Sequence, residues 1–343
     1  MQSKNPYPQI EHTDPSGQTK KDFTSDQEVR WCPGCGDYAI LAQVQRLLPS
    51  FGIPKEKYVF VSGIGCSSRF PYYMDTYGMH SIHGRAPAIA TGIKAVNPEL
   101  TVWVVTGDGD GLSIGGNHFM HVLRRNLDVK LLMFNNQIYG LTKGQYSPTS
   151  PFGKKAKSTP MGSVDYPADP ISVALGAGAT FVARTLDVNI PHIQEVLKRA
   201  NAHRGTAFVE IYQNCNIFND GAFSQLTEKD SRADATVEVQ HGKPLRFGKN
   251  KEKAIVVEGL RPRVVLASDV PESGLYVHDE TNELSALILS RLGAPEFPTP
   301  IGVFRAVERP SYDQLVNEQV ARAVAKGRGS VQALLDEGAW TID

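Results

Sequence analysis

The sequence predicts an α/β fold, a doubly wound parallel sheet followed by a C-terminal extension. Three runs, Tyr58–Gly63, Thr101–Thr106 and Val129–Asn135, are apolar without alternation, as strands buried on both faces are. Each run ends in a glycine or polar turn, and helical patterns lie between them, which is the repeat of a sheet covered on both sides. Ligands on such sheets gather at the carboxyl ends of the strands. Gly63–Cys66, Gly107–Gly111 and Asn135–Gly140 all fall there.

In chain order, residues 1–30 read as an arm able to fold over a neighbour. A helix is expected from Gly36, because Tyr38, Leu41, Val44, Leu47 and Leu48 recur at helical spacing. Ala86–Val96 is a helix of small residues that packs closely, and Asn117–Arg125 is the helix between the second and third strands. Residues 144–170 carry five prolines and little periodicity, the composition of a functional loop or lid. Lys154, Lys155 and Lys157 in it read as a solvated face, with docking of an acidic protein as the alternative. Regular structure resumes at 171–183, with a helix at Ile190–His203 and a strand at Thr206–Gln213. The domain division is therefore an arm at 1–30, a ligand-binding domain at 31–235 and an extension at 236–343. The extension reads as irregular apart from helices near 312–326 and 331–337, and it is expected to pack on the domain or on a partner.

Composition narrows the class. Lysine plus arginine equals aspartate plus glutamate at 36 each in 343 residues, so neither nucleic acid nor an anionic membrane surface is an expected partner. The first thirty residues are polar, and no run of about 18 apolar residues exists to cross a bilayer. A cytoplasmic, reducing location is expected, where a CxxC pair signals metal or redox chemistry instead of a structural disulfide.

The four cysteines carry the first chemical signal. Cys32 and Cys35 form a CxxC in Trp31-Cys32-Pro33-Gly34-Cys35, while Cys66 and Cys215 stand far away, both just past strands. Four thiols suffice for one tetrathiolate metal site. Zinc has the same ligand set, a thioredoxin-like pair is suggested by WCPGC, and an inert buried thiol is the plain reading of any single one. Cys66 follows Gly63-Ile64-Gly65, whose backbone is placed to touch a cofactor while the thiolate holds a metal group.

The second signal is Gly107-Asp108-Gly109-Asp110-Gly111, followed across a helix and a strand by Asn135-Asn136. Magnesium takes octahedral oxygen ligands and keeps one or two carboxylates, phosphate and water supplying the rest. Asp108, the Asn136 side-chain carbonyl and the main-chain carbonyl of Ile138 meet that need. Gly107, Gly109 and Gly111 let the backbone approach a phosphate. The plain alternative is a tight turn in which Asp108 caps the next helix.

GDG, a spacer and NN resemble the motif of the thiamine diphosphate enzymes. The neighbouring stretches WCPGCGDY, SGIGCSS, HGR, GDGDGLSIGGNH and NNQIYGLTKGQYSPT narrow the resemblance. Over about residues 28 to 225 the chain resembles the β subunit of 2-oxoacid:ferredoxin oxidoreductases, most closely the 2-oxoglutarate type. That resemblance implies a sheet of the thiamine-diphosphate-binding type and one [4Fe–4S] cluster on Cys32, Cys35, Cys66 and Cys215. It implies magnesium on Asp108, Asn136 and Ile138. Contacts to thiamine diphosphate are expected from Ile64, Gly65, Cys66, Ser67, His83, Gly107, Gly109, Asp110, Gly140 and Leu141. Catalytic positions are expected at His83, Arg85 and Lys143, where an imidazole and two cations suit an anionic 2-oxoacid and a diphosphate. A histidine satisfying loop carbonyls, an arginine in a surface pair and a solvated lysine are the plain readings.

The implied reaction is oxidative decarboxylation of a 2-oxoacid with coenzyme A, electrons leaving through the cluster to ferredoxin. 2-Oxoglutarate is favoured, with pyruvate and branched-chain 2-oxoacids as alternatives. An α subunit is an implied partner (αβ or α2β2), since no residue here suits the aminopyrimidine ring. A non-oxidative thiamine enzyme with structural zinc, and an iron–sulfur electron carrier, are the readings from other classes. Asn216-Ile217-Phe218 after Cys215 departs from the proline-containing continuation usual in the family, and the tail past 235 is longer than in its short members.

Overall fold

Unbroken apolar runs become the central strands of an eight-stranded sheet in the computed structural model, which describes residues 14–327 and 329–340. The strands are β1 (Tyr58–Ser62), β2 (Tyr77–His80), β3 (Thr101–Gly107), β4 (Val129–Asn135), β5 (Phe181–Leu186), β6 (Ala207–Tyr212), β7 (Thr236–Val239), β8 (Arg246–Phe247), β9 (Lys253–Glu258), β10 (Arg261–Leu266) and β11 (Thr299–Ala306). The sheet runs β2-β1-β3-β4-β6-β5-β11-β7, parallel from β2 to β5. β11 pairs antiparallel with β5 and parallel with β7, so these two strands run against the rest.

Successive side chains of a strand point to opposite faces, and β3 shows what this does here. Val102 and Val104 join one buried cluster, while Trp103 and Val105 join the other. Trp103 stacks on Phe60 of β1 at 5.9 Å between ring centroids. Helices α1 (Asp37–Leu47) and α6 (Ile190–Ala202) cover the Trp103 face. Helices α2 (Ala86–Val96), α4 (Gly116–Arg125) and α5 (Pro170–Gly176) cover the other. The short α3 (Asp108–Leu112) occupies what the sequence suggests is only a turn.

The extension from 236 differs most from expectation. It adds β7 and β11 to the main sheet and forms a small antiparallel sheet, β10-β9-β8. A helix at Glu283–Ser290, unforeseen, packs against β11 and α5. Pro300 and Gly302 interrupt the apolar run of β11, which is why its sequence reads as irregular. The expected helices appear at Tyr312–Ala325 and Val331–Asp336. Residues 1–13 of the expected arm lie outside the described residues. Phe23, farther along that arm, is fully buried edge-on to Tyr58 at 5.7 Å.

Candidate active site

Three loops at the carboxyl ends of β1, β3 and β4 meet in one cleft of about 180 Å³. Asp108 begins α3 there, 2% exposed, with Oδ2 accepting the hydroxyls of Ser147 at 2.5 Å and Thr149 at 2.6 Å. Asp108 is the first residue of α3, and Gly107 is its N-cap residue. Burial raises its pKa above the ordinary aspartate value, opposed by the two hydroxyls. Such a group is costly to ionise alone and is stabilised by a cation beside it.

The Asn135–Ile138 turn faces Asp108. Gln137 takes the left-handed conformation at φ 57°, turning the chain back on itself. Asn135 donates to Glu210 Oε1 at 2.7 Å and accepts the Thr149 hydroxyl at 2.9 Å. Thr149 thus holds Asp108 and Asn135 together. Asn136 accepts the Ile138 amide on Oδ1 at 3.2 Å and donates from Nδ2 to Gln213 Oε1 at 2.9 Å. Behind this turn, Glu210 and Arg184 form a buried ion pair at 2.6 Å, with the guanidinium 5.0 Å from the Tyr212 ring centroid.

Asp110 shapes the opposite wall. One oxygen meets His83 Nδ1 at 2.6 Å and the amides of Gly84 at 2.7 Å and Ile64 at 3.0 Å, and the other takes the Thr106 hydroxyl at 2.6 Å. A Cβ on Gly63 would lie 2.1 Å from that carboxylate, so only glycine fits where the β1 loop passes it. A Cβ on Gly109 would lie 2.3 Å from the Tyr139 ring, whose hydroxyl donates to the Gly109 carbonyl.

The four thiols line a second cavity, of about 240 Å³, next to the first. Cys66, Asn136, Gly140 and Leu141 border both, so a single wall of residues separates the two. Gly34 at φ 83° closes the CxxC turn, and Trp31 Nε1 donates to the Cys66 carbonyl at 2.6 Å, tying the two thiol loops. A Cβ on Gly140 would lie 3.5 Å from Cys66 Sγ and 3.6 Å from Cys215 Sγ. Burial, and to a lesser degree Asp37, pushes the Cys66 thiol up to about 12, and Cys35 is pushed further in the same direction. Thiols in such a place become thiolates only when a cationic group sits among them. Among the described residues no three His, Cys, Asp or Glu side chains are grouped to hold one ion.

A family model described as the C-terminal TPP binding domain of thiamine pyrophosphate enzymes matches residues 63–211. The KorB subunit of a 2-oxoglutarate oxidoreductase from Mycobacterium tuberculosis is 54% identical over 333 residues, covering 95% of this chain and 89% of the relative. The chain belongs to the β subunits of the 2-oxoacid:ferredoxin oxidoreductases. The β subunit of 2-oxoacid:ferredoxin oxidoreductase 1 from Aeropyrum pernix is 48% identical over 190 residues, covering 55% of this chain and 60% of its own length. A solved 2-oxoglutarate:ferredoxin oxidoreductase from Magnetococcus marinus, with 2-oxoglutarate, coenzyme A and succinyl-CoA bound, matches with a TM-score of 0.75 at 34% identity. That match covers 95% of this chain and 97% of the other.

In this β subunit the positions picked out for thiamine diphosphate, from Ile64 to Ser67, His83, Gly107, Gly109, Asp110, Gly140 and Leu141, all line the first cleft. Asp108, Asn136 and Ile138 line it too. Arg85 and Lys143 do not. Arg85 precedes α2 without a side-chain capping bond and donates to the Ile114 carbonyl at 2.9 Å, and Lys143 borders the thiol cavity. Phe134, Tyr139 and Thr142 line the cleft without having been foreseen, and the buried Ser147, Thr149 and Gln213 support its residues from behind without lining it. No described helix is long and apolar enough to cross a membrane.

Proposed function

We propose that this β subunit works with an α subunit as a cytoplasmic, coenzyme A-acylating 2-oxoglutarate:ferredoxin oxidoreductase. The observation that carries the reading is the shared wall of Cys66, Asn136, Gly140 and Leu141 between the glycine-lined cleft and the thiol cavity. Two sites that close suit a reaction whose electrons leave the carbon centre one at a time. When bound, thiamine diphosphate supplies an electron sink for decarboxylation, and a [4Fe–4S] cluster on Cys32, Cys35, Cys66 and Cys215 supplies one-electron transfer.

The residues themselves bind, orient and tune. Asp108, Asn136 and the Ile138 carbonyl would hold magnesium, with Ser147 and Thr149 fixing the Asp108 oxygen against rotation. Gly107 leaves the backbone open to a diphosphate while Gly109 makes room for the Tyr139 ring beside it, and Ile64, Gly65 and Ser67 form the facing edge with Gly140 and Leu141. His83 commits Nδ1 to Asp110, so Nε2 is the nitrogen turned to a ligand. Arg85, next in the chain after the His83–Gly84 loop, and Lys143, at the thiol cavity, would supply positive charge toward an anionic substrate and toward the cluster respectively.

Cys32 is exposed while the other thiols are half-buried, and Arg30, Arg69 and Lys143 border the same cavity. Electrons would leave there toward an acidic ferredoxin, a route that suits the charges better than the Lys154–Lys157 loop. The division into 31–235 and 236–343 is kept as a division of labour, the extension bracing the sheet through β7 and β11.

The test is the chain purified anaerobically with its α partner, analysed for iron, sulfide and zinc, and examined by EPR with 2-oxoglutarate or pyruvate. About four irons and four sulfides per chain, with the cluster reduced by 2-oxoglutarate in preference to pyruvate, is the expected result. One zinc without iron would move the reading to a non-oxidative thiamine enzyme. Full activity of this chain without a partner would sink the α–β assembly.

A further inference from the structure

Gln213 follows β6 directly and is pinned beside β4 by its amide, which donates to the Asn135 carbonyl at 2.9 Å. Its side chain is 1% exposed, and the two ends of its amide group serve different sites. Oε1 accepts Asn136 Nδ2 at 2.9 Å, whereas Nε2 lies 3.3 Å from Cys35 Sγ and also donates to the Asn214 carbonyl. The orientation follows from its neighbours. Asn136 Oδ1 takes the Ile138 amide, so Asn136 must present its NH2 to Gln213, and Gln213 must present its own to the sulfur.

We infer that Gln213 is a positioning residue joining the two cofactor sites, its N–H setting the charge tolerance of the Cys35 sulfur and its carbonyl fixing the Asn136 side chain. The inference rests on the proposed function, in which Cys35 is a cluster ligand and Asn136 a magnesium ligand. A hydrogen bond donated to a ligating sulfur favours the reduced, more negative cluster and so raises its potential. An outer partner that orients a metal ligand governs the affinity of the site. A side chain that only fills space would change stability and leave both quantities alone.

The experiment uses the assembled enzyme as wild type, Gln213→Met and Gln213→Glu. Met conserves volume and loses all three bonds, while Glu keeps an acceptor for Asn136 and loses the donor to the sulfur and to the Asn214 carbonyl. EPR-monitored redox titration reads the cluster, and equilibrium titration of magnesium and thiamine diphosphate into cofactor-stripped protein reads the cleft. Gln213→Met is expected to make the midpoint more negative and to weaken cofactor binding about 10- to 100-fold. Gln213→Glu is expected to make the midpoint more negative while binding stays within about threefold of wild type. Glu also supplies the potential if the Met variant does not load its cluster. An unchanged midpoint in the variants, or unchanged cofactor affinity in Gln213→Met, overturns the inference. Wild type lacking iron or cofactor binding overturns the parent reading instead, so the two failures are distinguishable.

Discussion

Asp110 Oδ1 lies 2.6 Å from His83 Nδ1, and the same oxygen accepts the amides of Gly84 and Ile64. With Thr106 on the second oxygen, one buried carboxylate ties the loop after β1, the loop before α2 and the end of β3. Its sequence position suggests a cofactor contact. It does border the cleft, yet its oxygens are engaged by donors from the protein, so its work is to hold the cleft's shape and orient the imidazole.

Replacing Asp110 by alanine would strand the amides of Gly84 and Ile64, remove the acceptor of His83 Nδ1 and leave Thr106 only the Gly107 carbonyl. Each buried donor left without an acceptor costs about 1–3 kcal/mol, so a loss of at least about 3 kcal/mol is expected. Asp110→Asn keeps one acceptor oxygen and can donate its NH2 to the Thr106 hydroxyl, losing mainly the charge assistance, about 1 kcal/mol. Urea unfolding of the three chains checks the order. An alanine variant with the wild-type midpoint would show that these bonds do not hold the cleft.

Gly140 makes the second prediction, because it stands between two sulfurs and borders both cavities. Alanine puts a methyl at ordinary contact distance from Cys66 and Cys215, whereas valine drives two more carbons into the gap. Iron per chain after anaerobic purification is expected to fall in the order Gly, Ala, Val, with Gly140→Val holding less than about half the wild-type iron because the overfilled site cannot relax cheaply. A valine variant with its full complement of iron would mean that the cluster lies elsewhere.

Strands β1, β3, β4 and β6 were legible because each is buried on both faces and mostly apolar, as in Val129–Asn135, whereas β5, with Arg184 and Thr185 in it, was not read as a strand. β2 was not legible, because its four residues are all exposed and the run, with only Tyr77 and Met79 apolar, is too short to read. Within the site, Asp108 and Asn136 were legible through glycine-flanked motifs at the ends of readable strands. Ser147 and Thr149 were not, since they reach Asp108 across 39 and 41 residues from a loop without period. Gln213 meets Asn136 across 77 residues, and a lone glutamine after a strand gives no sign of that meeting. Spacing reveals residues that share an element, while partners brought together by the fold leave no mark in the sequence.

His203 closes α6 far from the cleft and gives the third prediction. Its Nε2 lies 2.8 Å from the Thr180 hydroxyl, and its carbonyl accepts the Lys130 ammonium. Burial, then the Lys130 charge, lowers its pKa from 6.5 to about 4. The folded chain therefore prefers the neutral ring, while the unfolded chain binds a proton near the ordinary value. This contribution to stability is fully present above pH 6.5 and is lost as the pH falls toward 4. Because the ring is partly exposed, the loss is discounted to about 1–2 kcal/mol. His203→Gln keeps a polar partner for Thr180 and cannot titrate. Urea midpoints at about pH 8 and about pH 5 should therefore differ less for the variant than for wild type. Equal acid slopes in the two chains would show that the ring can protonate in place, with the α6 terminus opening enough to hydrate it.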